Sequence, residues 1–181
     1  GTGTATGTIT FTLTDGTGTS KTVNLTVTLH STGTTTLPFG TIDTPLDNRT
    51  GVSGAIPITG WALDDTEVSE VTICRDAVPG EGAPIDPKCG GAAQIYVGNG
   101  VFIEGARPDV RQAYATYPRS DSAGWGFLLL TNTLPNQGNG TFVFSVYARD
   151  REGYVFRLGT RTMTCDNAHA TVPFGTIDTP L

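Results

Sequence analysis

Basic residues are scarce in this chain of 181 residues: eleven Lys and Arg stand against seventeen Asp and Glu, for a net charge of −6 at pH 7. Nucleic-acid partners need basic patches against their phosphates, so the balance speaks against that class. Long apolar runs are missing too. The longest, Phe127 to Leu130, is strand-sized and reads as a buried strand; a membrane helix needs about 18 or more apolar residues. The first residues do not follow the basic, apolar, small-residue order of a secretory signal. With no Met at its start, the chain reads as a processed product or a piece of something longer.

Histidine is nearly absent. His30 and His169 are the only two, and neither is flanked by a Ser or Cys motif. A nucleophile–His–acid arrangement therefore has no local signature here. "GTGTATG" lacks the strand–helix context of a dinucleotide-binding turn. The chain is expected to be non-catalytic.

Three cysteines are present, at 74, 89 and 165. Cys74 and Cys89 bracket "CRDAVPGEGAPIDPKC", which offers no His or further Cys at metal-ligand spacing. The preferred reading is a local disulfide, with two reduced thiols as the alternative. A disulfide places the protein outside the reducing cytosol. Cys165 is left over: a buried free thiol, or alternatively an intermolecular crosslink.

Threonine and glycine are plentiful, and Thr crowds the first forty residues. Its branched Cβ favours extended backbone. A more specific feature is "PFGTIDTPL", which occurs at 38–46 and again, letter for letter, at 173–181. The offset between the copies is 173 − 38 = 135. Moving residues 1–36 by that offset places Ile9, Phe11 and Leu13 on Phe144, Val146 and Ala148. Asp15 then falls on Asp150 and Gly18 on Gly153. Both segments show an alternating strand, an Asp-to-Gly turn and a second alternating strand, the pattern of a β-hairpin.

Three segments follow. Residues 1–36 are a Thr/Gly-rich hairpin, the closing strands of a preceding unit or a donor to another subunit. Residues 37–172 are the complete unit, and 173–181 the opening strand of a next one. An isolated hairpin is marginal in water, so 1–36 must pack on something. Pro38 and Pro45 remove two amide donors and stiffen the phrase, and Thr44 before Pro45 is biased to extended geometry. The junction residues are then Pro38, Phe39, Ile42 and Pro45, and in the second copy Pro173, Phe174, Ile177 and Pro180.

Within 37–172 nearly everything reads as strand and turn. "GAIPITGWALDD" points Ile56, Ile58 and Trp61 inward, with Pro57 confined to an edge or strand start. "EVTIC" alternates through Val71 and Ile73. "AQIYVGNGVFIEG" reads as two short strands around Asn99-Gly100, a strong hairpin signal. In "ARPDVRQAYATYP", Pro108 suits a first helical turn, and Val110, Tyr114 and Tyr117 share one helical face up to Pro118. Regular strand spacing with one short helix predicts an all-β sandwich.

The phrases "PFGTIDTP", "GAIPITGWALDD", "AGWGFLLLTNTLPNQGNGTF" and "LGTRTMTCDNAHATVPFGTIDTP" together resemble an immunoglobulin-like module of the kind that recurs in tandem in large secreted or cell-surface bacterial proteins. The resemblance implies an immunoglobulin-like β-sandwich in stalks, adhesins or extracellular fibres, with copies of itself or adjacent repeats as partners. Cys74, Trp125 and Cys165 depart from the inter-sheet Cys–Trp–Cys spacing of antibody domains, so that disulfide is not implied.

Competing readings attach to two clusters. Asp64, Asp65 and Asp150, with Glu67 and Glu70 nearby in sequence, offer oxygen ligands to Ca²⁺, but no EF-hand loop is present and Asp also serves plain turns. No other cofactor is expected. Tyr114 and Tyr117 in the 104–120 insertion form a candidate ligand face for a glycan or host surface protein, or else close the end of the sandwich. Both tryptophans are read as core. A structural repeat is thus weighed against an adhesion module.

Overall fold

The computed structural model describes residues 3–31 and 36–169. The chain divides into two compact units, Gly1–Thr36 and Leu37–Leu181. In the first, β1 (Gly3–Thr14) and β2 (Ser20–Ser31) form an antiparallel ribbon. Its alternation segregates the side chains: Ile9 opposes Leu25, and Phe11 opposes Val23 on one face. Threonines fill the other, where Thr10 Oγ1 donates to Asn24 Oδ1 at 2.9 Å. All six of Ile9, Phe11, Leu13, Val23, Leu25 and Val27 are exposed.

In the second unit β3 (Phe39–Thr44), β4 (Arg49–Val52), β5 (Ala55–Leu63), β6 (Val68–Arg75), the short pair β7 (Ile85–Asp86) and β8 (Ala92–Ala93), and β9 (Ile95–Phe102) precede a short helix, α1 (Pro108–Ala113); β10 (Gly124–Leu130), β11 (Asn139–Asp150) and β12 (Val155–Asp166) follow it. Eight strands run in the order β3-β5-β10-β9-β6-β11-β12-β4. They curl into two facing layers, the arrangement of an immunoglobulin-like β-sandwich. Between the layers lie Ile42, Ile58, Trp125 and Leu129 from one side and Val71, Ile73, Phe144, Val146 and Met163 from the other.

The corner between the layers is β9, a single strand. Its first part pairs with β6 (Arg75↔Ile95 to Val71↔Gly100), and Val101 and Phe102 pair with β10. The hairpin expected at Asn99-Gly100 is therefore not a hairpin. Gly98 and Gly100 serve packing: a Cβ on Gly98 would enter the Phe127 ring, and one on Gly100 would come within 3.2 Å of Trp125 Cε3. Glycine in a strand often marks such a close approach.

Three other expectations are corrected. Phe127–Leu130 is not buried throughout; it alternates, leaving Leu128 and Leu130 exposed and Leu129 buried. Trp61 is out of phase with Ile56 and Ile58, because the inward positions of β5 continue through Gly60 and Ala62; its ring joins a second cluster with Leu63. Helix α1 ends at Ala113, before Tyr117. Pro57 lies where β5 has only β10 beside it, since pairing with β3 stops at Thr59. That stretch is locally an edge, which a proline tolerates.

Cys74, in β6, is bonded to Cys89 with Cα atoms 5.9 Å apart, and Cys165 is a buried free thiol. The bridge lies within one loop rather than between layers. Arg75 closes the start of the same loop on Glu81, at 2.6 and 2.5 Å to the two carboxylate oxygens. That guanidinium first, and the Val78 amide second, hold the Glu81 carboxyl down from 4.5 to about 2. A lowered folded value contributes stability above the ordinary Glu range, lost as pH falls from about 4.5 toward 2. Glu81→Gln should therefore lower the melting temperature at pH 6 relative to wild type, with the gap closing near pH 2. Melting curves from pH 2 to 7 test this, and a pH-independent gap would refute the ion pair's role.

The β11–β12 hairpin repeats the geometry of the β1–β2 ribbon. All four strands have 12 residues. Leu13 pairs with Lys21 and Thr12 with Thr22; at the matching positions of the second hairpin, Ala148 pairs with Phe156 and Tyr147 with Arg157. The turns share three hydrogen bonds at equivalent positions. Asp15 N donates to Thr19 O and Gly18 N to Asp15 O, as Asp150 N does to Tyr154 O and Gly153 N to Asp150 O. Thr19 N and Tyr154 N each donate to the aspartate Oδ1 at 2.9 Å. Gly18 and Gly153 both have positive φ, 85° and 94°. The hairpins part company at Leu158, an extra residue that shifts the register of β12 between Tyr147 and Val146; β2 has no such bulge.

Candidate functional site

The first copy of the repeated phrase folds as β3, at the outer edge of its layer. It runs antiparallel to β5, from Phe39↔Leu63 to Thr44↔Thr59, with an irregularity between Ile42 and Thr44. Asp43 sits at that irregularity, and its carboxylate pairs with Arg107 Nη1. Arg107 is itself oriented by Asp109, which accepts from its Nε at 2.9 Å and its Nη2 at 2.6 Å. The same guanidinium holds the Asp109 carboxyl at about 2.

Each remaining residue is held differently. The Phe39 ring lies 5.7, 5.4 and 5.2 Å from the rings of Trp61, Tyr114 and Tyr117. Such edge-on contacts favour aromatic pairs beyond the area they bury. Gly40 admits no side chain, since a Cβ would run into the Trp61 carbonyl. Ile42 is buried in the main core over Gly159. Thr44 and Thr59 share a hydroxyl hydrogen bond of 2.5 Å. Arg161 ties down the end: its Nε donates to Pro45 O at 2.9 Å and its Nη2 to Ile42 O. Pro38 and Pro45 are buried, and the Thr44–Pro45 peptide is cis. Asp47 Oδ1 then accepts the Thr162 amide at 2.7 Å.

Phe39, Ile42, Pro38 and Pro45 are thus brought together at one strand. Pro173, Phe174, Ile177 and Pro180 lie outside the described residues. Tyr114 and Tyr117 are half-buried and turned on Phe39 and Trp61, so the rings considered for a ligand face are engaged in holding β3. Asp64 and Asp150 are buried as turn formers: Asp64 Oδ2 accepts the Thr66 amide and hydroxyl, and Asp150 Oδ1 the Tyr154 amide. Among the described residues no three His, Cys, Asp or Glu side chains converge as metal ligands, so Asp64, Asp65 and Asp150 do not form one set.

Two residues that hold the strand, Arg107 and Arg161, were not singled out by sequence. Arg161 carried a signal: it shares strand phase with buried Met163 and Cys165, and a buried guanidinium needs acceptors. Phe39→Ala should loosen the strand at its start, at a cost of about 2–4 kcal/mol. Amide exchange should rise across residues 39–44 while β11 stays protected; uniform protection would contradict this role.

The strand order and the seat of β3 define an immunoglobulin-like β-sandwich whose repeated phrase is its opening edge strand. No family model and no curated protein matches the chain. Among solved structures it is similar to the fibronectin(III)-like modules of Clostridium thermocellum CbhA, at 13% identity and a TM-score of 0.47, over 96% of this chain and 70% of that one. No helix among the described residues is long and apolar enough to cross a membrane.

Proposed function

We propose that this chain is a non-catalytic structural repeat of an extracellular array, and that the repeated phrase joins its units into a stalk or fibre. The observation that carries this reading is the agreement between the β1–β2 ribbon and the β11–β12 hairpin, at the same offset as the phrase, in strand length, in the register next to the turn and in the bonds that close that turn. A ribbon that shares the plan of a sandwich's closing hairpin, and leaves Ile9, Phe11 and Leu13 exposed where Phe144, Val146 and Ala148 are buried, behaves as the end of another such unit. Repeat proteins of this kind bury each unit against its neighbours. A local disulfide fits an oxidising compartment. The partners are adjacent repeats and other copies of the chain.

The test is a concatemer of residues 38–172 in two, three and four copies. Small-angle scattering should give a rod whose length grows linearly with copy number. Stretching single molecules should release about 40 nm per unit, because roughly 120 residues extend at ~3.5 Å each outside the locked disulfide loop. A compact particle, or non-cooperative extension, would overturn the array.

A further inference from the structure

We propose that the seat of β3 is also the docking site for residues 173–181 of a second copy of this chain. The inference rests on reading "PFGTIDTPL" as a joining segment and names what it joins to. Every group that holds the first copy lies outside it, between Thr59 and Thr162: the Trp61–Tyr114–Tyr117 box, Arg107, Thr59, Arg161 and the β5 backbone. The second copy supplies each counterpart at the same spacing, with Phe174 for Phe39, Gly175 for Gly40, Ile177 for Ile42, Asp178 for Asp43 and Thr179 for Thr44. A charge on one residue, a ring four positions earlier and a glycine between them make a composite signal that few other segments match.

The tail cannot take this seat in its own molecule. The segment from β3 to β4 tracks β12 in the same direction: Ile42 lies over Gly159, the Pro45 carbonyl meets Arg161, Asp47 meets Thr162, and Arg49 pairs with Met163. The Phe39 box is therefore about ten strand residues back from Asp166, or ~33 Å. The eight residues from Asp166 to Phe174 span at most ~29 Å fully extended, with no length left to pass around β4. A seat in another molecule carries no such limit.

Docking replaces one strand by its identical twin, so bonds made equal bonds lost. What decides occupancy is concentration. The tethered strand holds its seat at an effective concentration on the order of millimolar, and the tail of a second copy competes where chains are crowded or where the resident strand is weakened. Exchange of identical elements is a low-cost route to assembly, and a head-to-tail contact of this type does not close on itself.

Weakening the resident strand alone is possible because its charge can be reversed separately. In Asp43→Arg the new guanidinium faces Arg107, while Asp178 of another molecule still fits. The full chain carrying Asp43→Arg should at least double its weight-average mass in sedimentation at concentrations where wild type is monomeric, and Asp43→Arg/Asp178→Arg should return to monomer. A second readout covers the case in which Asp43→Arg does not fold. Thr59→Cys/Thr179→Cys in an otherwise wild-type chain, concentrated and oxidised, should give a ladder on a non-reducing gel that synthetic PFGTIDTPL peptide suppresses. Folded Asp43→Arg that stays monomeric, a ladder indifferent to the peptide, or no ladder at all would each overturn the docking. Those results leave the array reading intact, since that reading stands on the length of the concatemer.

Discussion

Trp125→Ala should destabilise the sandwich by about 3–5 kcal/mol, the cost of emptying a large buried aromatic site. Against the usual total of about 5–15 kcal/mol for a domain, that is enough to unfold much of the population at moderate temperature. The residue is the second of β10, paired with Gly60 on one side and Phe102 on the other, and is only 2% exposed. Two glycines are shaped around its ring. A Cβ at Gly60 would press on its Cζ2 and one at Gly100 on its Cε3. Those glycines cannot grow into the space left by alanine, so the cavity persists. The melting temperature should fall by roughly 10 °C or more, and Trp125→Phe, which keeps most of the volume, should lose far less. An alanine variant with an unchanged melting temperature would show that the two layers do not depend on this ring.

The second large effect is expected from the Cys74–Cys89 bridge. Its two cysteines stand at a sequence separation of 15, and closing a loop of that size removes about 3 kcal/mol of chain entropy from the unfolded state. Both cysteines are fully buried and pack with Tyr147, whose hydroxyl donates to Gln94 Oε1 at 2.9 Å. Cys74→Ala/Cys89→Ala should therefore lower stability by about that amount in denaturant melts. Loop residues 76–94 should gain amide exchange first. Because neither sulfur is exposed, reductant should open the bridge in the native protein far more slowly than in urea. A double variant as stable as wild type, with an unchanged loop, would remove the bridge from the account of stability.

Strand content was largely legible in the sequence because period-two alternation is a local property of the chain. The segments around Val71 and Ile73, and around Phe144, Val146 and Ala148, read correctly for that reason. So did Pro108 at the start of α1. The failures share one cause. Asn99-Gly100 has the composition of a tight turn, yet Gly98 and Gly100 are glycines because rings from β10 lie on them. Trp61 was grouped with Ile56 and Ile58, but one residue of phase sends it to the opposite face, where α1 and the following turn cover it. In β12 the extra residue at Leu158 reverses the alternation, so Arg161 becomes an inward residue and finds the carbonyls of Ile42 and Pro45.

The repeated phrase shows the same division. By itself the sequence determined that "PFGTIDTPL" recurs, that the ribbon before its first copy shares the plan of the closing hairpin at the same offset, and that the segment is stiff and extended. These are properties of identity, spacing and local backbone preference, which need no partner. Only the tertiary structure decided what holds the phrase. Its aromatic box draws on residues 39, 61, 114 and 117, and its charge and carbonyls are met from positions 107 and 161. Those groups come together only when the two layers close and the insertion folds over the edge strand, because no local pattern encodes contacts between residues 64 and 116 positions apart.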